Sequence, residues 1–592
     1  MSIERLQKAT VAGVVAQQDE ILQALQQFGH LHLIDLHSQP REEVSSLAPA
    51  EYKEALRYLD NCPEQRMQVD SSPHFDPCAI AQQVLDVRNE ARTLHDRKDF
   101  LEKRIADLKP WGNFQLPDDT LYGERLWFYL VPNYQMDKLE QLELPWKCVH
   151  RDNRFSYIAV ICAHEPAPKL LPVERTHTGS VPLEQLEREL FDVKMRLEDL
   201  AAERHSLSRW ILLLRRSLAS IEDEDSRRLA SLMALDNEQV FALQGWVPES
   251  QLDALRAVAD EHSLALALEP PLEDELPPTL LSNPQNLAGG EEIVRFYQMP
   301  GYRSWDPSRV VFFSFALFFA LILSDAGYAA MLGLLVVVYW GKLGRTETGR
   351  RIRALASALT GTSLVYGVLV GSYFGAEAPF APLASLQLLD LSNFDQMMKL
   401  SVVVGTGHII LANLISAWQC RRTVRAVASL GWVALLLAGL GYWLLQLQTL
   451  SILLVVAGLL AILLCSSARS WEWRLLHWRL LDGLLALTGI SKVFGDVLSY
   501  LRLFALGLAS ASLALTFNQL AVDMAATGGA LGFLMQILIL LLGHLINFVL
   551  SVVSGVIHGL RLNLLEFFNW SLSDEGYPFQ PFAKKEVEAW TT

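Results

Sequence analysis

Cysteine is scarce in this chain and nowhere paired. The six cysteines, Cys62, Cys78, Cys148, Cys162, Cys420 and Cys465, are scattered without a CxxC spacing, which argues against a zinc site or a disulfide framework and fits a reducing compartment. The first 307 residues hold no Walker A string, HExxH, GxSxG or GxGxxG, so nothing there points to bound nucleotide, metal or another cofactor. No apolar core of 7–15 residues follows Met1-Ser2-Ile3-Glu4-Arg5, so no signal peptide is expected and the soluble half should stay cytoplasmic. A basic excess is also missing: 50 Lys and Arg against 65 Asp and Glu give a net charge of −15, which speaks against nucleic-acid binding. The largest absence is of charge itself beyond about residue 308, where long uncharged stretches take over. The chain reads as half soluble and half membrane.

In the soluble half, Ile80, Val84, Val87, Ala91, Leu94, Leu101, Ile105 and Leu108 follow 4,3 spacing with Lys98 as the interruption. The spacing returns at Leu183, Leu186, Leu190, Val193, Leu197, Leu200, Leu207, Ile211, Leu214 and Leu218, interrupted by Arg204. Two such seams in one chain predict an intramolecular antiparallel coiled coil, with Pro110 ending the outgoing helix and Pro182 opening the return. Between them, Arg125 to Val131, Trp146 to His150 and Phe155 to Ala163 predict strands of a distal α/β lobe. Strand, helix and strand are expected over Ala9 to Val14, Asp19 to Phe28 and His30 to Leu36, and again across Val240 to Leu268, so both ends of the rod should share a proximal lobe. The expected boundaries are 1–75 and 237–305 for the two parts of that lobe, 76–110 and 181–236 for the coiled-coil helices, and 111–180 for the distal lobe. A transmembrane domain over 306–570 and a cytoplasmic tail over 571–592 follow.

Apolar runs lie at 354–374, 399–418, 427–446, 451–467, 484–520 and 531–568, and a seventh covers 309–341 with Ser324-Asp325 at its middle. If that seventh run is a hairpin of two short spans, the basic loops around Arg345 to Arg353, Arg421 to Arg425 and Arg469, Arg474 and Arg479 all fall on one side. The Lys/Arg bias makes that side cytoplasmic. Eight spans with both termini cytoplasmic are therefore expected. Continuous helices over 484–520 and 531–568 would be about 55 Å long, well beyond a ~30 Å hydrocarbon core, so they should tilt. The fold class is thus mostly α: an eight-span helical domain with two long tilted last helices, plus cytoplasmic α+β lobes joined by an antiparallel coiled coil.

Arg502 sits at the midpoint of the 484–520 run. An arginine at that depth costs from about 2.5 to over 10 kcal/mol and normally faces a water path or a counter-charge. On the last span His544, Asn547, Ser551, Ser554, His558 and Arg561 recur at 3,4 spacing and so share a helix face. Serines, asparagine and histidines on such a face also serve as plain interhelical hydrogen bonds. Asp325, Glu377 and His408 are further intramembrane polar candidates, for which a buried hydrogen-bonded role is an equal reading.

The strings Ser499-Tyr500-Leu501-Arg502-Leu503-Phe504-Ala505-Leu506-Gly507, Gly555-Val556-Ile557-His558-Gly559-Leu560-Arg561 with Asn563 to Phe568, and Gly576-Tyr577-Pro578-Phe579 closely resemble the a subunit (subunit I) of prokaryotic V/A-type rotary ATPases. Ser324-Asp325-Ala326-Gly327-Tyr328, Gly371-Ser372-Tyr373-Phe374-Gly375 and Gly245-Trp246-Val247-Pro248 are similar to that family as well. The resemblance implies a membrane stator subunit, itself without an ATP site, that couples H⁺ or Na⁺ passage to ATP hydrolysis or synthesis in a separate head. It implies as partners a rotor ring of small carboxylate-bearing subunits facing Arg502, peripheral stalks at both lobes, and the central rotor and catalytic head indirectly. Arg561 matches the family's second arginine. His558, Arg561, Glu566, Asp496 and Ser499 are the implied cytoplasmic half-channel, and His544, Asn547 and Ser551 the outer one, although many eukaryotic members carry a carboxylate where this chain has Ser551. The rival reading is a self-contained secondary ion transporter or channel, which predicts internal repeats with broken helices; a membrane-anchored scaffold would leave the arginines without a task.

Overall fold

In the computed structural model the described residues are 2–37, 50–114, 123–139, 144–167, 171, 173–178, 181–237, 239–378, 380–390, 393–467, 469, 475–526, 528–572 and 574–585. Arg474 and the tail beyond Lys585 lie outside them. The chain divides into two units, one built from residues 1–14, 30–34 and 238–581, the other from 15–29, 35–237 and 582–592.

The second unit holds helices α1 (Gln18–Phe28), α2 (Ala50–Asp60), α3 (Pro77–Leu108), α4 (Leu183–Leu207) and α5 (Ile211–Met233). Asp76 accepts from the Cys78 and Ala79 amides to cap α3, and Pro77 occupies its first turn, where a missing N–H costs nothing. Leu186, Val193, Leu200, Leu207 and Leu214 are all buried, one every seventh residue, so a single stripe faces the partner helix. Across the α3–α4 seam Arg97 pairs with Glu189, Glu90 with Arg196 and Gln83 with Glu203. Partner numbers fall as their counterparts rise, so the two helices run antiparallel. Each exposed pair contributes little energy but fixes register. Arg204, which breaks the apolar spacing, donates to the Tyr58 carbonyl of α2 at 2.6 Å and lies over the Tyr58 ring. Helix α2 gave no clear signal in the sequence, and it is what makes an arginine tolerable there. Strands β3 (Arg125–Pro132), β4 (Trp146–Arg151) and β5 (Phe155–Cys162) form an antiparallel sheet in the order β3-β5-β4.

In the first unit, strands β1 (Leu6–Val14), β2 (His32–Ile34), β7 (Val240–Pro248) and β8 (Ala265–Glu269) pair in the order β2-β7-β1-β8; the short β6 (Leu235–Asn237) belongs to the other unit. β1 is central, running antiparallel to β7 with Val14 opposite Val240 and Leu6 opposite Pro248. Helix α6 (Leu252–Glu261) joins β7 to β8, and α7 (Gly289–Tyr297) precedes the apolar helices.

Among the described residues six stretches are long and apolar enough to cross a membrane: 347–370, 394–419, 425–445, 448–465, 476–526 and 529–571. They contain α11 (Glu347–Val370), α13 (Phe394–Gln419), α14 (Arg425–Leu445), α15 (Gln448–Cys465), the series α16 (Leu476–Leu487), α17 (Gly489–Ser499) and α18 (Leu501–Ala526), and α19 (Gly529–Arg561) with α20 (Phe568–Ser571). α10 (Trp340–Leu343) and α12 (Ala381–Ala384) are single turns in connections. The 309–341 run makes two further helices, α8 (Ser308–Leu323) and α9 (Ala326–Val338), each shorter than a ~20-residue crossing. Ser324 closes α8 in the left-handed conformation, and the Asp325 side chain caps α9. Both pack on α11. Ser308 of α8 lies near Gly290, whose neighbours Gly289 and Glu291 touch Leu355 and Arg351 at the start of α11; the Ala326 amide reaches Ser372 just past its end. α8 therefore runs parallel to α11. In α9, Ala326 meets Gly367, Gly333 meets Thr360, and the Trp340 carbonyl accepts from Arg353, so α9 runs back. The two short helices have opposite directions. α8 is buried nearly all round, the mark of a helix inside a bundle rather than on its surface.

The expected continuous helix over 484–520 is instead interrupted at Thr488 and Tyr500. At the second break, hydrogen bonding tightens to i→i+3: Tyr500 N to Val497 O at 3.2 Å and Leu503 N to Tyr500 O at 3.0 Å. The last long helix passes through one π-helical turn at Leu562–Phe567.

Candidate functional site

The polar residues of the last two long stretches fall into two clusters, both within the first unit. The first gathers at the Tyr500 break and the π turn. Arg502, second residue of α18, is half-buried, and its Nη1 is sealed from solvent without a hydrogen-bond partner. Among the described residues it makes no hydrogen bond or ion pair, although Arg561 and Glu566 lie within electrostatic reach. Glu566 is buried: Ser499 Oγ donates to its Oε1 at 2.6 Å and Arg561 Nε stands 3.8 Å from the same oxygen, while its Oε2 is buried without a hydrogen-bond partner. His558 lies within reach of both arginine charges, its Nδ1 buried without a partner. Asp496 accepts from Trp570 Nε1 at 2.7 Å.

The π turn explains the Arg561–Glu566 pair. On a regular α-helix only residues three or four apart face each other, and residues five apart lie on different sides. Hydrogen bonding from i to i+5 widens the turn so that residue 566 comes over residue 561.

His408 of α13 joins this cluster, a placement no sequence spacing indicated. Its Nδ1 lies 2.8 Å from the Tyr500 hydroxyl, its ring stacks on Phe567 at 4.3 Å, and its Nε2 is buried without a partner. One side chain of α13 thereby touches both the break ahead of Arg502 and the turn that carries Glu566. Tyr500 is fully buried, with Phe318 edge-on against both it and His408.

The second cluster surrounds Tyr328. His544 Nδ1 lies 2.8 Å from the Tyr328 hydroxyl and its Nε2 3.0 Å from Asn518 Oδ1. Asn547 donates to the Tyr328 hydroxyl at 3.0 Å and to the Ser510 carbonyl at 2.9 Å. Ser551 Oγ donates to the Asn547 carbonyl at 2.7 Å and lies 2.7 Å from Ser510 Oγ. Asn547 and Ser551 are buried and satisfied, as interhelical hydrogen bonds between α18 and α19 would be. The six-residue stripe thus divides. His544, Asn547 and Ser551 point into the helix interface, Ser554 and His558 are half-buried, and Arg561 is half exposed.

Of the remaining candidates, Asp325 has a complete structural role. Its two oxygens accept from the Tyr328, Phe374 and Gly375 amides at 2.9–3.0 Å and from the Ser372 hydroxyl at 2.7 Å, so it caps α9 and clamps the Gly371–Gly375 loop. Glu377 is exposed.

No family model matches the chain. V-type ATP synthase subunit I of Chlamydia pneumoniae is 27% identical over 595 residues, covering 85% of this chain and 86% of that one. V-type ATP synthase subunit I 1 of Treponema pallidum is 26% identical over 642 residues, covering 98% and 99%. The resemblance to subunit I holds. A-type ATP synthase subunit I of Methanocaldococcus jannaschii adds a third case, 25% identical over 450 residues and covering 68% of this chain and 64% of the relative. The Treponema similarity runs nearly end to end, so it takes in both soluble and apolar halves. A solved structure of the cytoplasmic N-terminal domain of a subunit I, homolog of subunit a of V-ATPase, overlays with a TM-score of 0.21 at 13% identity, covering 44% of this chain and 99% of that one. With its six apolar helices, this subunit I-like chain is a multi-pass membrane protein.

Proposed function

We propose that the chain is the membrane stator subunit of a V/A-type rotary ATPase, coupling passage of H⁺ or Na⁺ past Arg502 to rotation of a ring of carboxylate-bearing subunits. The observation that carries this reading is the state of Arg502. A cation at this depth needs an anion or water, yet Glu566, the nearby acid, forms no ion pair with Arg502 among the described residues and turns its Oε1 to Ser499 and Arg561. The guanidinium is left for a carboxylate from outside the chain. Beside it a ring carboxylate is driven to its ionised form and releases its ion, and it can move on into lipid only after reloading.

Glu566, Ser499, Asp496, His558 and Arg561 form the proposed route to Arg502 from the end of the bundle that carries Arg345, Arg350, Arg353, Arg421, Arg422 and Arg425. The other end carries Glu377 and Asp390 in its loops and Asp523 in the last turn of α18. That asymmetry supports a cytoplasmic basic end with both termini inside. His544, with Asn547 and Ser551, is the proposed outer route. The soluble unit holds the subunit to peripheral stalks against torque, and the catalytic head is reached through the rest of the complex.

The test is Arg502→Ala in the intact reconstituted complex. ATP-driven ion uptake should vanish while the subunit still assembles, as judged by its co-purification. Normal uptake by an assembled variant would refute the assignment.

A further inference from the structure

A cavity of about 810 Å³ opens at the basic end of the bundle where α13 finishes. Four arginines line it: Arg5, Arg303, Arg421 and Arg422. Arg303 is committed to the Leu272 and Glu273 carbonyls. Arg5, Arg421 and Arg422 make no ion pair among the described residues, even though three carboxylates line the same space. Two of those are occupied. Glu4 accepts from the Ser250 hydroxyl, and Asp306 accepts from the Ser308 amide at 2.9 Å and from Asn283 Nδ2. Among the described residues the Glu249 side chain makes no hydrogen bond, so three uncommitted guanidiniums face one uncommitted carboxylate. Ser304, on the same wall, keeps a buried Oγ without a partner.

The apolar side of the site continues outward. Trp418 lines the cavity and is 52% exposed, and the Arg421 guanidinium stacks on its ring at 5.0 Å. Leu411, Leu414 and Trp418 are all exposed at 3,4 spacing on α13, so they form one apolar stripe leading from the cavity along the helix. A polar, cationic chamber that empties onto an apolar stripe, with tryptophan at the junction, matches an amphiphile at the membrane interface.

We propose that this cavity is a binding site for the phosphate headgroup of an anionic phospholipid, with its acyl chains laid along Leu411 and Leu414. Arg421 and Arg422 contact the phosphate, Arg5 closes the chamber from the N-terminal segment, and Glu249 sets an upper limit on affinity. The proposal rests on reading Phe394–Gln419 as a membrane span. It is independent of ion transport, so normal uptake by the Arg502 variant would leave it standing.

The full chain would be exchanged into vesicles of phosphatidylcholine with and without phosphatidylglycerol, and retained lipid counted by native mass spectrometry after extraction. Phosphatidylglycerol should be retained in preference to phosphatidylcholine. The Arg421→Gln/Arg422→Gln double variant should weaken retention roughly 30-fold, taking about a fivefold loss per arginine at a membrane surface. Glu249→Gln should strengthen it about fivefold on the same scale, a gain that misfolding cannot produce. Excess inorganic phosphate should displace the lipid poorly. Equal retention of both lipids, an unaffected double variant, or ready displacement by phosphate would each overturn the proposal, the last by showing a free-anion site.

Discussion

Gly405→Ala tests whether α13 sets the position of Arg502. A Cβ at residue 405 would stand 2.3 Å from Tyr500 Cγ, 2.5 Å from its Cβ and 2.7 Å from its Cδ2. Carbon atoms settle at about 3.5–4.0 Å, so the ring must retreat by roughly 1 Å or more. It cannot turn aside, because Tyr500 is fully buried between His408 and Phe318 and its own Cβ is among the clashing atoms. The backbone joint between α17 and α18 must yield instead, and Arg502 lies two residues beyond it. Overpacking of this kind costs about 1–3 kcal/mol, and misplacing a positioned group by about 1 Å costs on the order of 10²-fold in rate. The assay is ATP-driven ion uptake by the reconstituted complex alongside the thermal midpoint of the purified chain. Uptake should fall far more than the loss of stability accounts for. Tyr500→Ala, which removes Cγ and Cδ2 and keeps only Cβ, should relieve part of the clash in the double variant. Wild-type uptake and midpoint in Gly405→Ala would refute the argument.

Ser499→Ala removes the hydrogen bond to Glu566 and leaves that buried acid with Arg561 at 3.8 Å, so a loss of about 1–3 kcal/mol and slower uptake are expected, with Ser499→Thr restoring both. Asp325→Asn keeps one acceptor oxygen but turns an amino group toward the Ser372 hydroxyl and the Gly375 amide; a cost of about 2–3 kcal/mol should show as a lower thermal midpoint in detergent. In the second unit Glu222 accepts from Lys53 and Lys585, which hold its pKa below the ordinary glutamate value. A depressed folded-state pKa contributes stability above the unfolded-state pKa that is lost as pH falls through the folded one. Acidification through that window should therefore lower the midpoint of the wild type more than that of Glu222→Gln.

The sequence showed its periodic features well and its breaks poorly. Heptad apolar residues such as Leu186, Val193 and Leu200 mark the buried stripe of α4 because repetition over many turns outweighs a lone Arg204. The strands around Trp127, Ile158 and Val247 were visible as β-branched and aromatic runs bounded by turns. The chain reversal at Ser324-Asp325 was legible too, since an aspartate amid apolar residues has few uses other than a cap or a charge. Tyr500 and the π turn were not. Neither holds the proline or glycine that usually announces a change of helix geometry, and each depends on tertiary partners, His408 for the first and the Ser499–Glu566 bond for the second. The same limit hid the division of the stripe on α19. Spacing groups His544 with Arg561, but it cannot tell that one faces Tyr328 while the other stands half exposed.

The pairing of β1 with β7 bears on how the polypeptide is connected. Val14 and Val240 sit directly across from each other at the end of an antiparallel ladder, the place where an ordinary hairpin would need a tight two-residue turn. Between them the chain leaves the sheet after β1, returns once as β2 beside β7, and leaves again until β7. A pull transmitted through residues 35–237 would therefore enter the sheet at β2 and β7, which pair with each other over His32–Ile34. To peel β7 away, it would also have to break the continuous cross-strand pairing with β1 from Leu6 to Val14 rather than slip a single loop.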